Sequence, residues 1–179
     1  MIIYFVRHAS AGEHMANPKK DTKRPLDPEG IEQCGYVGRA LAAINAQPDV
    51  LISSPLKRAT QTASLIGNEI GYEGKLQLET AMLPEGSFPD FRRMLEKYSK
   101  HEAIMVVGHN PSITEFLGRI INKSASEAQI EFKKGAAARV ETDRGAATLN
   151  WLFTPKIARS VQSAARTAAE KSHSKTSRK

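Results

Sequence analysis

The chain reads as an α/β protein: a three-layer α/β/α sandwich around a mostly parallel central sheet. Three observations predict this. Short apolar runs at Ile2–Val6 and Ala103–Val107 have the length and composition of buried strands, and Asp49–Ile52 reads as a further short strand. Segments with apolar residues at helical spacing separate them. Strand and helix signals alternate, which implies parallel strands, right-handed crossovers and helices on both faces of the sheet.

Taken in order, the first strand ends at Val6 and residues 9–26 are polar and loop-like, with Pro18 and Pro25. Asp27 and Pro28 then form an N-cap followed by proline at the first helical position. The helix they open runs to about Ile44, and Ile31, Cys34, Val37, Leu41 and Ile44 are expected to be buried. After the 49–52 strand, Ser53, Ser54 and Pro55 open a second helix that ends near Gly71, with Ala59, Ala63, Leu65 and Ile66 inward. A third strand is expected over Lys75–Leu78. A helix over Phe88–Tyr98 places Phe91, Met94, Leu95 and Tyr98 on one face. The 103–107 strand precedes a helix carrying Ile113, Phe116, Leu117 and Ile120.

The pattern changes after Ser124. Ala137–Glu141 and Ala147–Phe153 read as an antiparallel pair around a turn at Asp143, Arg144 and Gly145. Pro155 starts a last helix, expected over 155–170, with Ile157, Val161, Ala164 and Ala168 on its buried side. Residues 171–179 are basic and of low complexity and are expected to be disordered. The expected organisation is therefore a catalytic domain over 1–154, a helix and a tail.

Composition narrows the function. At 179 residues, with 40% hydrophobic and 25% charged residues, the chain suits one soluble domain with a real core. No stretch reaches the roughly 18 apolar residues of a membrane span, and the first apolar run is too short for a signal peptide. A cytoplasmic protein without membrane contact is expected. The one cysteine, Cys34, excludes an internal disulfide and every Cys-rich metal site, and its helical setting suggests a buried, inert thiol. Residues 155–179 hold seven Lys/Arg against one acid, Glu170, and so carry six of the seven net positive charges. The high pI thus belongs to the C-terminus. That segment lacks interleaved aromatics, so nucleic acid is not the expected partner.

Four motifs stand at or beyond predicted strand ends: Arg7 and His8; Lys23, Arg24, Pro25 and Leu26; Ser53 through Ala63 with Arg58, Gln61 and Thr62; and Gly108, His109, Asn110 and Pro111. Ligands of open α/β sheets bind beyond the carboxyl ends of the strands. Arg7, His8, Arg58 and His109 can therefore meet in one small volume. A phosphoryl group suits that volume. Guanidinium forks give its oxygens bidentate, charge-assisted hydrogen bonds. An imidazole beside cations stays neutral and nucleophilic. A helix starting near Pro111 adds backbone N–H groups and a positive dipole end.

In order and setting, these motifs resemble the histidine phosphatase superfamily, the phosphoglycerate mutase-like fold, and within it the short SixA-like phosphohistidine phosphatases without a cap domain. The matching motifs span Met1 to about Ile120. The resemblance implies that His8 takes the phosphoryl group, that Arg7 and Arg58 bind its oxygens and that His109 completes the pocket. It implies that Arg24 approaches the phosphate as a substrate-binding residue, that no metal or other cofactor is needed, and that phosphate or sulfate fits the same site. The expected partner is a phosphorylated substrate, above all a phosphohistidine protein in signal transduction. Two alternatives stay open: a small-molecule phosphomonoesterase of the same superfamily, and a non-catalytic phosphate-binding adaptor. Glu85, in the loop Leu83–Gly86, is a candidate acid for an alcohol leaving group or a solvated loop residue. His14, His101 and His173 lie in polar stretches and read as solvated.

Overall fold

The computed structural model describes residues 1–122, 130–143 and 145–176, with side chains as far as Ala169. The strands are β1 (Ile2–Arg7), β2 (Val50–Ser53), β3 (Gln77–Leu78), β4 (Ala103–Gly108), β5 (Ala137–Asp143) and β6 (Ala146–Phe153). The helices are α1 (Pro18–Asp21), α2 (Pro28–Ala43), α3 (Lys57–Glu69), α4 (Phe88–Lys97), α5 (Ser112–Ile121) and α6 (Pro155–Thr176). A 3-10 turn covers Thr80–Met82. The strands form one sheet in the order β3-β2-β4-β1-β5-β6. The pairs β3–β2, β2–β4 and β4–β1 are parallel, and β1–β5 and β5–β6 are antiparallel. The sheet is mostly parallel, as the alternating pattern predicts.

The pleat divides the core into two halves. Ile3 and Phe5 of β1 pack with Ile104 and Val106 of β4 against Phe91 and Met94 of α4 and Phe116 and Leu117 of α5. Phe91 and Phe116 stack with ring centroids 4.5 Å apart. Tyr4, Val6, Met105 and Val107 face the other way, onto Val37 and Leu41 of α2 and Ala63 and Ile66 of α3. Alternate residues of one strand thus serve opposite helical layers, which explains why these strands are apolar at every position.

Several local expectations need correction. Ile31 and Ile44 of α2 are 53% and 51% exposed. The buried stripe of α2 is Gly30, Cys34, Val37, Gly38 and Leu41, a narrower face made by close packing on α3. Leu65 is only partly buried. The third strand shrinks to Gln77 and Leu78 at the sheet edge. The second helix starts at Lys57 rather than at the serines, which remain at the strand end.

Helix α6 differs most. It runs to Thr176, six residues beyond the expected end, over a segment without proline or glycine to stop it. It meets the body through Ala158, buried, through Arg159, over the Tyr36 ring, and through Gln162, whose Nε2 donates to Tyr36 O at 2.8 Å. Ile157, Val161, Ala164 and Ala168 face outward, because the helix rests on α2 along the neighbouring stripe. Arg144 of the expected turn and residues 177–179 of the expected tail lie outside the described residues. No described helix is long and apolar enough to cross a membrane.

Candidate active site

Parallel register brings the two histidines together. Arg7 of β1 pairs with Gly108 of β4, so the residues that follow, His8 and His109, leave the sheet side by side. The His8 N–H donates to Gly108 O at 2.9 Å, and the two rings lie 4.8 Å apart at an angle of 52°. Ser53 of β2 pairs with Val107, which places Ser54 against the same end of β4. Three neighbouring strands thus deliver His8, Ser54 and His109 to one rim.

His8 Nδ1 lies 2.8 Å from Ala9 O. A carbonyl can only accept, so Nδ1 carries the proton and Nε2 keeps its lone pair. Burial, above all, pushes the His8 pKa down to about 3, with Arg58, Arg7 and Lys134 acting in the same direction and the Ala9 hydrogen bond opposing them. His109 is likewise pushed down to about 2 by burial, then by His8, Arg58, Arg7 and Arg24. Both rings are neutral near pH 7.

The cations are held from behind. Arg7 Nη1 donates to Phe132 O at 2.9 Å, and Asn110 Nδ2 donates to the same carbonyl at 3.2 Å. Gly135 N–H contacts both Arg7 O and His8 O at 3.1 Å, with φ at +71°. A side chain there would be strained in backbone and would meet Pro155 Cγ at 2.8 Å. Arg58, in the first turn of α3, is 5% exposed. Its Nη1 donates to Asp21 O at 3.1 Å and to Asp21 Oδ2 at 3.2 Å. Arg24 Nε donates to Asp21 Oδ1 at 2.7 Å, and Arg24 Nη1 to Ala11 O at 2.6 Å.

The rest of the second motif braces the loops. Thr62 Oγ1 accepts from Ala9 N–H at 3.1 Å and donates to Arg58 O at 2.8 Å. Gln61 Oε1 accepts from Leu26 N–H at 2.8 Å. Asp27 caps α2 through Gly30 N–H and ties down Ser10 and Gly12, each at 2.7 Å.

Asp21 is the residue that the sequence reading passes over. It is buried, sits between two arginines and is held down at about 2, first by the Arg24 hydrogen bond and against its own burial. Its signal was an acid three residues before Arg24 in a loop otherwise rich in lysine. His14, expected to be solvated, is exposed but reaches Asp21 Oδ2 at 3.7 Å. Glu85 is exposed and makes no hydrogen bond or ion pair among the described residues. Cys34 is buried, and burial raises its thiol to about 12.

Three buried side-chain nitrogens among the described residues have no hydrogen-bond partner: Arg7 Nε, Arg58 Nε and His109 Nδ1. All three belong to this cluster. Buried N–H groups are otherwise nearly always paired, so this is an arrangement suited to an incoming acceptor. Asp21 stands between Arg24 and Arg58, and with Arg7 the cations around the histidines outnumber it, which suits an anion. Neither of two surface clefts, about 370 and 400 Å³, is lined by these residues.

A doubly covered α/β sheet with paired histidines and arginines beyond its carboxyl edge defines a phosphate-handling class. The chain belongs to the histidine phosphatase superfamily: residues 3–91 match its branch 1. An uncharacterized protein of Picosynechococcus is 30% identical over 119 residues, 65% of this chain and 70% of that protein. Phosphohistidine phosphatase SixA of Escherichia coli is 22% identical over 167 residues, covering 90% of this chain and all of that protein. The structure of the protein histidine phosphatase SixA complexed with tungstate superposes with a TM-score of 0.76 at 22% identity, over 87% of this chain and 97% of that one. At that identity the likeness concerns the fold.

Proposed function

We propose that the protein is a metal-independent phosphohistidine phosphatase acting through a phospho-His8 intermediate. The observation that carries this reading is the pairing of a free lone pair with free donors. His8 Nε2 is left unprotonated by the Ala9 hydrogen bond, beside the unpartnered Arg7 Nε, Arg58 Nε and His109 Nδ1.

In the first step His8 Nε2 attacks phosphorus, a P–N bond forms, and the bond to the substrate's leaving nitrogen breaks. The electron pair departs with the imidazole, which takes a proton from solvent. Arg7, Arg58 and His109 hold the equatorial oxygens as charge spreads over them. Each charged hydrogen bond contributes on the order of 1.5–3 kcal/mol. Water then attacks the phosphoenzyme, releasing phosphate and restoring His8. Asp21 holds Arg58 and Arg24 in place, one on each carboxylate oxygen.

Two features favour a phosphohistidine protein as substrate. An imidazole leaves more readily than an alkoxide, so the step proceeds without a strong acid, and the exposed Glu85 has no hydrogen bond or ion pair to the cluster among the described residues. The second is openness: no lid-sized insertion separates Arg7 from Arg58 or Arg58 from His109. A site without such an insertion between its motifs admits a phosphate carried on a protein surface.

Incubating the protein with a radiolabelled phosphohistidine protein tests this. We expect phosphate release and an acid-labile, base-stable label on the wild type. His8→Ala should show neither. Equal release by the two proteins would overturn the mechanism. Much faster turnover of a phosphoserine peptide or sugar phosphate would overturn the substrate class.

A further inference from the structure

We propose that Ser54 is a positioning residue that sets His109 as a hydrogen-bond donor toward the phosphoryl oxygens. The proposal rests on the phosphatase reading for its substrate, but on geometry alone for the state of the His109 ring.

Ser54 is fully buried at the end of β2, where its backbone N–H donates to Val107 O at 3.0 Å. Its hydroxyl has two partners. Leu56 N–H lies 3.3 Å from Oγ, and His109 Nε2 lies 2.9 Å from it. An amide N–H can only donate, so toward Leu56 the hydroxyl oxygen is an acceptor. Among the described residues, the hydroxyl proton then has one acceptor available, His109 Nε2. That nitrogen must carry the lone pair. The neutral ring therefore bears its proton on Nδ1, the buried nitrogen without a partner. The reverse arrangement would strand the Ser54 proton in a buried site and turn a ring lone pair toward the dianion.

His8 and His109 are thus set in complementary ways. In His8 the N–H is anchored on a carbonyl that only accepts, and the lone pair is free to attack. In His109 the lone pair is anchored on a hydroxyl, and the N–H is free to bind. One oxygen behind each ring decides whether it acts as nucleophile or as donor. Without the hydroxyl, the two neutral tautomers of His109 differ little in energy, and a part of the molecules would face the phosphoryl group with a lone pair.

The test uses the full chain with ¹⁵N-labelled histidine. Long-range ¹H–¹⁵N spectra near pH 7 read which nitrogen of His109 is protonated, and tungstate titration reads anion binding without turnover. We expect Nδ1 protonation in the wild type. In Ser54→Ala we expect a shift of His109 toward the Nε2-protonated form and about tenfold weaker tungstate binding, the equivalent of one charged hydrogen bond partly lost. Ser54→Thr keeps the hydroxyl and should restore both. An Nε2-protonated His109 in the wild type would overturn the proposal even if no variant folded. So would a Ser54→Ala protein with unchanged tautomer and unchanged tungstate affinity. A protein that meets these expectations yet never releases phosphate would refute the phosphatase reading and leave the role of Ser54 standing.

Discussion

Asp21 receives Arg58 twice, through its backbone carbonyl at 3.1 Å and its carboxylate Oδ2 at 3.2 Å, while Oδ1 takes Arg24 at 2.7 Å. A single acid therefore orients both arginines and uses only part of their donors. Arg58 Nε remains unpartnered. The carboxylate competes for charge with an incoming phosphate, yet without it the guanidinium groups of Arg24 and Arg58 would repel each other.

The first prediction follows. Asp21→Asn keeps the shape but loses the charge-assisted bonds, which are about twice as strong as neutral ones. We expect kcat/KM to fall by roughly tenfold or more, the effect of about 1.4 kcal/mol in the transition state. Steady-state kinetics on a phosphohistidine substrate check this, and unchanged kcat/KM would exclude an orienting role.

A second prediction concerns pH. His8 and His109 have folded pKa values of about 3 and about 2, below the 6.5 of an ordinary histidine. Between those limits the unfolded chain binds more protons than the folded one, so stability is complete above pH 6.5 and is lost as pH falls below it. Each histidine contributes up to about 1.4 kcal/mol per pH unit in that window. Urea unfolding at pH 7 and pH 5 should show the loss. His109→Gln should reduce the slope.

Gly30 supplies a third. It sits in the first turn of α2, and a Cβ there would come within 2.0 Å of Ser10 O. Backbone would have to move, and the segment that would move continues directly from His8 and Ala9. We expect Gly30→Ala to cost about 1–3 kcal/mol of stability and to lower kcat more than it raises KM. Thermal unfolding with kinetics on the same sample tests this. Gly12→Ala, where no atom lies within 4 Å of the added Cβ but φ is +65°, is a control for backbone strain alone.

The fourth concerns the C-terminus. The named contacts of α6 with the body, Ala158, Gln162 and Arg159 over the Tyr36 ring, all lie in its first turns. Deleting residues 171–179 should leave turnover of a small phosphoryl substrate unchanged within about twofold, a difference below 0.5 kcal/mol. A larger loss would show that the basic end reaches the site.

The sheet core was legible in the sequence because its signal is local. Continuous apolar runs such as Ile104–Val107 can be satisfied only between two helical layers. The helix faces were less so. Ile157 and Val161 of α6 carry a helical period, but which stripe is covered depends on where α2 lies, and Ala158 took that place. Ile31 and Ile44 failed for the same reason: with Gly30 and Gly38 at the contact, α2 lies close to its neighbours and buries a narrow strip.

Arg7, His8, Arg58 and His109 could be picked out in the chain as residue types at strand ends that suit a phosphoryl group. The sequence by itself determined that much, together with the alternation that makes a mostly parallel sheet. The tertiary structure decided the state of each group. The pairing of Arg7 with Gly108 placed two rings 4.8 Å apart, and the Ala9 carbonyl left Nε2 of His8 free. The short helix α1 put Asp21 between two arginines, and the end of β2 set Ser54 behind His109. A residue's identity is written in the chain, but its protonation and orientation depend on which oxygen stands next to it, and only the packed fold brings that oxygen there.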